Sequence, residues 1–231
     1  MTKPPARRSS SQEIAQFLQE SRTITQFVDK QPRLLFAVDA TASRQPTWNR
    51  ARQLQQEMFH VSGKVTALAV QLCYFRGFGE FRASRWLTDS AELARLMGLV
   101  QCEGGRTQIA RLLNHAVSEH RKATVRALVF IGDAMEENPD SLCDLAGQCG
   151  ILQLPLFLFQ EGSDRQVEQT LRTMAKLSGG AYARFDSNSA DLLAGLLGAV
   201  ASFATGGRTA LEAHGGDSAK LLLQQLLDGG D

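Results

Sequence analysis

The sequence predicts an α/β fold: a doubly wound, mostly parallel six-stranded sheet with one antiparallel edge strand and helices on both faces. Three observations carry this prediction. Short apolar runs alternate with stretches of helical periodicity along most of the chain. Most of these runs are continuously apolar, as expected of strands buried on both faces. Glycine pairs and prolines separate the segments. Strands that alternate with helices in this way form parallel sheets that are covered on both sides.

The composition narrows the classes of partner. The 231 residues include 25 Lys plus Arg against 24 Asp plus Glu, a net charge of +1. This balance gives no electrostatic reason to expect nucleic acid or a membrane surface as partner. The four cysteines show no metal-binding spacing, and no apolar segment of a signal peptide follows the basic, Ser-rich N-terminus. We therefore expect a cytoplasmic protein with reduced thiols.

The chain divides into three predicted parts. Residues 1–31 form an N-terminal extension with one helix, from about Ser11 to Val28, and Pro32 ends that segment because the residue before a proline avoids helical geometry. Residues 32–205 form the α/β domain. Residues 206–231 form a C-terminal tail with a short amphipathic helix from Lys220 to Leu227. Each extension either packs on the domain itself or contacts another copy or a partner.

Local signals place the elements of the domain. The predicted strands are 34–38, 65–75, 80–86, 125–131, 154–159 and 181–185. The third returns antiparallel because it follows a Gly-Phe-Gly turn directly. The predicted helices are 46–60, 89–96, 109–117, 139–149, 164–177 and 190–204. Pro46 suits a first helical turn, Asp89 is a good N-cap, and Gly206-Gly207 ends the last helix.

Polar residues follow two of the buried strands. Asp39 ends the first strand and Asp133 follows the fourth. Thr41 and Ser43 place hydroxyls at alternate positions after Asp39, and Thr107 lies in a Gly-Gly-Arg-Thr loop before a helix. In open α/β sheets the ligand site lies beyond the carboxyl ends of the strands, where the strand order reverses. The sequence thus predicts that these side chains meet at one edge of the sheet.

This all-oxygen set suits a hard divalent cation. Magnesium demands oxygen ligands and tends to retain water. Neutral hydroxyl ligands leave the ion much of its positive charge, so it can accept one more carboxylate from another molecule. The alternative is that the two aspartates cap helices and loops while the hydroxyls satisfy backbone groups.

These positions resemble a known pattern. The von Willebrand factor A family carries a metal-ion-dependent adhesion site, with Asp-x-Ser-x-Ser after the first strand, a Thr in a later loop and an Asp after the fourth strand. The matching positions here are Asp39, Thr41, Ser43, Thr107 and Asp133. The resemblance covers about residues 32–205 and is to the bacterial intracellular members.

Two departures from the pattern concern the ligands. Thr41 stands where the family has serine, and its methyl group crowds the site. Ala134-Met135-Glu136-Glu137 follows Asp133, where the family commonly has a glycine. The carboxylates of Glu136 and Glu137 can neutralise the ion or replace the outside ligand.

The resemblance implies a non-catalytic adaptor domain that binds Mg²⁺, or Mn²⁺ or Ca²⁺, and docks another protein through an acidic residue. An ATPase or chaperone system is the expected kind of partner, and self-association is a further expectation. Arg44 and Arg106 flank the site and can meet a partner's carboxylate. A metal-free interaction platform is the alternative. A metal-dependent phosphatase would need a second aspartate where Thr41 stands, so we expect no catalysis.

Overall fold

The computed structural model describes residues 30–42, 45–61, 64–65, 68–186 and 189–228. Pro32–Asp231 forms one compact unit. The helix predicted between Ser11 and Val28 lies outside the described residues, as do Ser43 and Arg44 of the predicted site.

A six-stranded sheet forms the centre of the domain. Its strands in chain order are β1 (Arg33–Asp39), β4 (Ala69–Arg76), β5 (Glu80–Ala83), β6 (Val125–Gly132), β7 (Leu156–Glu161) and β8 (Ala181–Phe185). A separate hairpin joins β2 (His60–Val61) to β3 (Lys64–Val65). The order across the sheet is β5-β4-β1-β6-β7-β8, and the β4–β5 pair is antiparallel while the other pairs are parallel. The predicted fold class and the antiparallel edge strand are confirmed.

Helices cover both faces of this sheet. In the described part of the chain they are α1 (Gln45–Leu54), α2 (Ser90–Leu99), α3 (Ile109–Lys122), α4 (Pro139–Ile151), α5 (Arg165–Ser178), α6 (Ala190–His214) and α7 (Gly216–Asp228). The predicted N-cap Asp89 accepts a hydrogen bond from the Ala91 backbone at 2.8 Å. Asn138 and Asp164 cap α4 and α5 in the same way.

Several predicted boundaries were wrong, among them the end of the strand predicted over 80–86, since β5 ends at Ala83. The helix predicted over 46–60 ends at Leu54 and continues as a 3₁₀ turn, Gln55–Phe59, in which Met58 and Phe59 are buried. Val65 belongs to the small hairpin and not to β4. β7 begins and ends two residues later than the predicted 154–159, at Glu161. At the end of α1 and at the ends of β7 the apolar spacing marks which residues are buried, and burial alone does not distinguish a helix end or a strand end from an adjoining turn.

Side chains that alternate along the strands pack into two separate hydrophobic cores, one on each face of the sheet. In β1, Leu34, Phe36 and Val38 face the core beneath α1, α2, α6 and α7. Leu35 and Ala37 face the core beneath α3, α4 and α5. Because both faces are buried, the strand is apolar at every interior position, which is the pattern read in the sequence.

The longest helix, α6, belongs to the first core. It is the one described helix that is long and apolar enough, by length and composition, to cross a membrane. Leu193, Leu196 and Val200 are fully buried within the protein, so a role in the core accounts for its apolar character. Helical geometry breaks at Gly206 and Gly207, where Gly207 has a φ of 66° that favours glycine. The glycine pair was predicted to end the helix; it interrupts the helical geometry, and helical structure then continues to His214.

The C-terminal helix α7 packs against α6 and β8, where Ala219 and Leu222 are fully buried. The Gln225 side chain binds both backbone groups of Tyr182. It accepts from the Tyr182 nitrogen at 2.9 Å and donates to its oxygen at 2.8 Å. The tail therefore covers the open edge of β8.

Candidate metal and docking site

β1 and β6 are neighbours at the point where the strand order reverses. The chain runs from β1 to β4 on one side and later returns to β6 on the other. Val38 pairs with Ile131, so Asp39 lies level with Gly132 and one residue short of Asp133. The predicted neighbourhood of the two aspartates is thus present at the carboxyl edge of the sheet.

Asp39 is buried and locally ordered. Its residue is 1% exposed, and its Oδ1 accepts a hydrogen bond from the Thr41 backbone at 2.8 Å. This is the turn that an aspartate forms with the backbone two residues ahead. Ala40 donates to the Phe75 carbonyl at 3.1 Å and accepts from the Glu103 nitrogen at 3.0 Å. The chain that leaves β1 is therefore tied to β4 and to the loop that carries Thr107.

Asp133 is half-buried at the end of β6, and its Oδ1 atom is fully buried. Burial raises the cost of a carboxylate charge, and an adjacent cation or hydrogen-bond donor offsets that cost.

Thr107 is buried and is bound by both glutamates of the loop that follows Asp133. Glu136 Oε2 accepts from the Thr107 backbone nitrogen and from its hydroxyl, both at 2.7 Å. The Glu136 nitrogen donates back to the hydroxyl at 3.0 Å. Glu137 Oε2 lies 2.5 Å from the same hydroxyl, and its Oε1 accepts from the Ala110 nitrogen at 3.1 Å. The structure thus places both glutamates directly at the Thr107 corner of the site.

The Thr107 loop is held against the β4–β5 turn. The Arg106 nitrogen donates to the Gly77 carbonyl at 3.1 Å, and the Gly77 nitrogen donates to the Glu103 carbonyl at 3.4 Å. Phe78, between Gly77 and Gly79, is 85% exposed at this edge. Arg106 is exposed and forms no ion pair with the rest of the described chain. The positively charged side chain of Arg106 and the aromatic ring of Phe78 therefore lie beside the candidate site.

Glu161 is an acidic residue of this edge that the sequence reasoning missed. It ends β7, and because Gly132 pairs with Gln160, Glu161 lies level with Asp133 on the neighbouring strand. Its carboxylate accepts a hydrogen bond from the hydroxyl of Thr47, in the first turn of α1. The sequence signal for Glu161 was an acidic residue at the end of a third parallel strand. It was missed because the strand was predicted to end at residue 159, two residues before Glu161.

The donor set fits a hard cation that keeps water ligands. No group of three or more His, Cys, Asp or Glu side chains in the described chain is arranged to hold a metal. A site here consequently depends on hydroxyl oxygens beside the carboxylates of Asp39 and Asp133. Oxygen ligands in small number, completed by water, are what Mg²⁺ accepts.

The four cysteines all lie in the described chain and are thiols, not disulfides. Burial raises the pKa of the Cys73 thiol, and burial raises that of Cys149 to about 11. The reactive thiolate is scarce at neutral pH in both, which fits packing roles.

Comparison with solved structures identifies the fold. The VWA domain of SpRpn10 superposes with a TM-score of 0.56 at 10% identity, over 71% of this chain and 94% of that one. The chain has the von Willebrand factor A fold. An aerotolerance-related membrane protein from Bacteroides fragilis is similar at 20% identity, with a TM-score of 0.54 over 68% of this chain and 94% of that one.

A third VWA-like structure was determined with metal. Proximal thread matrix protein 1 from mussel byssus, with a zinc-occupied MIDAS motif, matches at 13% identity and a TM-score of 0.53, over 75% of this chain and 46% of that one. No family model and no curated protein matches this sequence.

Proposed function

We propose that this chain is a non-catalytic interaction domain that binds a partner protein through a divalent cation. Asp39, Thr41, Ser43, Thr107 and Asp133 hold the cation. The observation that carries the proposal is the pairing of β1, which ends at Asp39, with β6, which Asp133 follows, at the switch point of a VWA fold. The mussel protein with metal in its MIDAS motif supports a metal at this place.

Each residue has a distinct task in this proposal. Asp39 and Asp133 supply the negative charge, while Thr41, Ser43 and Thr107 add neutral oxygens. The bound cation supplies a positive centre that accepts a carboxylate oxygen from the partner. The hydrogen bond from the Thr41 nitrogen to Asp39 Oδ1 orients that carboxylate before any cation arrives. Pre-oriented ligands reduce the entropy lost on binding.

The proposal assigns no reaction to the site. The residue two positions after Asp39 is Thr41, which has no carboxyl group to act as the general acid of a phosphatase. Phosphatase turnover that Asp39→Asn abolishes would contradict this part. We further propose the cytoplasm as the location of the domain, Mg²⁺ as its ion and an ATPase or chaperone system as its partner class.

A metal-free interaction platform is the second candidate function. The contacts of Glu136 and Glu137 with Thr107 favour it, because these bonds engage one of the oxygens that a cation would need.

Metal binding decides between the two candidates. Titration calorimetry with Mg²⁺ and Mn²⁺, combined with thermal unfolding, should show binding and an increase in Tm. A ligand at 100 times its Kd stabilises a folded protein by about 2.7 kcal/mol. Chelator should reverse the increase.

Asp133→Asn should abolish both effects, because it removes one of the two carboxylates. Asp140→Asn is the matched control. Asp140 is exposed in the first turn of α4, seven residues after Asp133, and it is not one of the proposed metal ligands. Absence of metal binding by the unmodified protein would leave only the metal-free platform.

A further inference from the structure

A cavity of about 490 Å³ lies at the amino edge of the sheet, the edge opposite the candidate metal site. It is bordered by the end of α3, the start of β6, the connection from α4 to β7 and the break in α6. β6 runs from Val125 to Gly132, so about 25 Å separates the cavity from the metal site, at roughly 3.3 Å per residue. Cavities of roughly 300–1,000 Å³ hold small organic ligands.

The buried part of the cavity wall is apolar. Val125 and Pro155 are buried, and Leu152 and Phe203 are half-buried. The ring of Phe203 is held by Phe157, whose ring centroid lies 5.2 Å away in an edge-to-face arrangement. The cavity therefore offers a fixed apolar surface to a ligand.

A β-bulge places a positive charge at the rim of this cavity. Arg33 of β1 pairs with Val125, and Leu34 pairs with Ala127, so Arg126 is the extra residue of the bulge. Bulges change the direction of a side chain and are common beside functional sites. The Arg126 side chain is exposed, lines the cavity and has no hydrogen bond or ion pair in the described part of the chain.

Gln153 brings an amide to the same cavity from a strained backbone position. Its φ of 56° makes it the one non-glycine residue with a positive φ among those described. The Gln153 nitrogen donates to the Gly150 carbonyl at 2.9 Å, and the Leu154 nitrogen donates to the Cys149 carbonyl at 2.9 Å. Helices that end with these bonds usually have glycine at this position. Residues in such conformations concentrate at functional sites, and the side chain of Gln153 lines the cavity.

We infer that this cavity binds a small organic carboxylate with an apolar body. The Arg126 guanidinium binds the carboxylate, because the two groups form paired, charge-assisted hydrogen bonds. The Gln153 amide and the Thr124 hydroxyl, which have no hydrogen bond in the described part of the chain, add neutral donors. None of the described residues that line the cavity is acidic, so no like charge opposes the anion. One guanidinium balances one negative charge, which matches a carboxylate better than a doubly charged phosphate.

Octanoate is the probe that tests this inference, on the full chain with chelator present so that bound metal does not contribute. Titration calorimetry should show one site per chain. Acetate lacks the apolar body and octan-1-ol lacks the charge, so each should bind at least about tenfold more weakly than octanoate. Nuclear Overhauser effects between the octanoate chain and the Phe203 ring should locate the bound probe in the cavity.

Arg126→Gln should raise the Kd for octanoate by about tenfold or more, because it removes the charge-assisted hydrogen bonds. The Kd for octan-1-ol should stay the same. Arg121→Gln is the matched control, since Arg121 is exposed in the last turn of α3 and does not line the cavity. Thermal unfolding checks that both variants fold.

Gln153→Gly distinguishes a binding role from a structural one. Glycine adopts a positive φ without steric cost, so the variant should have a higher Tm. Loss of the amide should at the same time raise the Kd for octanoate. A residue that serves only to end α4 would change the Tm and leave the Kd as it was.

Three results would overturn the inference. The first is failure of the unmodified protein to bind octanoate, or equal Kd values for octanoate, acetate and octan-1-ol. The second is an unchanged Kd for octanoate in both Arg126→Gln and Gln153→Gly. The third is an equal loss of affinity in Arg126→Gln and Arg121→Gln. None of these measurements involves the metal, so the proposed metal site stands or falls separately.

Discussion

Single residues control how closely the loops of the candidate site approach one another. A Cβ atom on Gly105 would lie 1.9 Å from the Gly77 carbonyl oxygen, far inside van der Waals contact. That carbonyl is also the acceptor for the Arg106 nitrogen. The loop that presents Thr107 can pack against the β4–β5 turn only because residue 105 has no side chain.

We therefore expect Gly105→Ala to destabilise the protein by about 1–3 kcal/mol, the usual cost of overpacking. It should also weaken Mn²⁺ binding, because the displaced loop carries Thr107. Urea unfolding and calorimetry measure the two effects. Gly104→Ala is the control: nothing lies within 4 Å of a Cβ there, so its effect should stay within about 0.5 kcal/mol. Equal losses in the two variants would contradict the close-approach explanation.

The residue types at this edge could be predicted because each follows a recognisable strand. Asp39 and Asp133 come at the end of continuous apolar runs, where the chain must leave the sheet. Glu161 escaped the same reasoning because Gln160, which is fully buried, interrupts the apolar run before it. Its contact with Thr47 joins residues 114 positions apart and has no local sequence signal.

Among the secondary-structure elements, the edge strand β8 depends on its neighbour α7. An unpaired edge strand exposes backbone groups that can pair with another chain. The Gln225 amide, which has both a donor and an acceptor, satisfies the two backbone groups of Tyr182 as a neighbouring strand would. Arg172 further covers this edge by stacking over the Tyr182 ring at 4.4 Å.

Gln225→Ala should lower the free energy of unfolding by about 1–2 kcal/mol, because it leaves two backbone groups without their hydrogen bonds. Hydrogen exchange of the Tyr182 amide should accelerate, and the variant should aggregate more readily. Gln224→Ala tests the specificity, since Gln224 is the exposed residue beside it on the same helix. Unaltered exchange at Tyr182 in Gln225→Ala would show that the edge is protected by other contacts.

For the molecule as a whole, stability should depend on the protonation of His115. This residue of α3 has its Nε2 atom 2.8 Å from Gln71 Oε1, and its ring lies 5.2 Å from that of Phe81. Burial lowers the pKa of His115 below its usual value; the charge of Glu119 opposes this shift, and that of Lys122 adds to it. The folded protein therefore holds the ring neutral more strongly than the unfolded chain does.

The sign of the pH effect follows from linkage. The unfolded chain binds the proton first as the pH falls, so the contribution of His115 is fully present above its ordinary pKa of about 6.5. It is lost as the pH falls towards the lower pKa of the folded state. Urea unfolding between pH 8 and pH 5 should show decreasing stability, and His115→Gln should flatten this decrease. An unchanged slope in the variant, or an NMR titration of His115 above pH 6.5, would contradict the assignment.

Local sequence patterns determine the order of strands and helices and the burial of the sheet on both faces. They also determine the positions of Asp39 and Asp133 at the ends of strands. The period of the apolar residues, the capping residues and the glycine breaks each act over a few neighbouring residues, so a single sequence is enough to recognise them. Three features exist only in the folded chain. They are the hydrogen bonds of Glu136 and Glu137 with Thr107, the alignment of Glu161 with Asp133, and the hydrogen bonds of Gln225 with the backbone of β8. Each joins residues about 30 to 43 positions apart, and the contact of Glu161 with Thr47 joins residues 114 positions apart. Such contacts depend on how packed helices and strands orient their connecting loops, and packing is a property of the assembled cores.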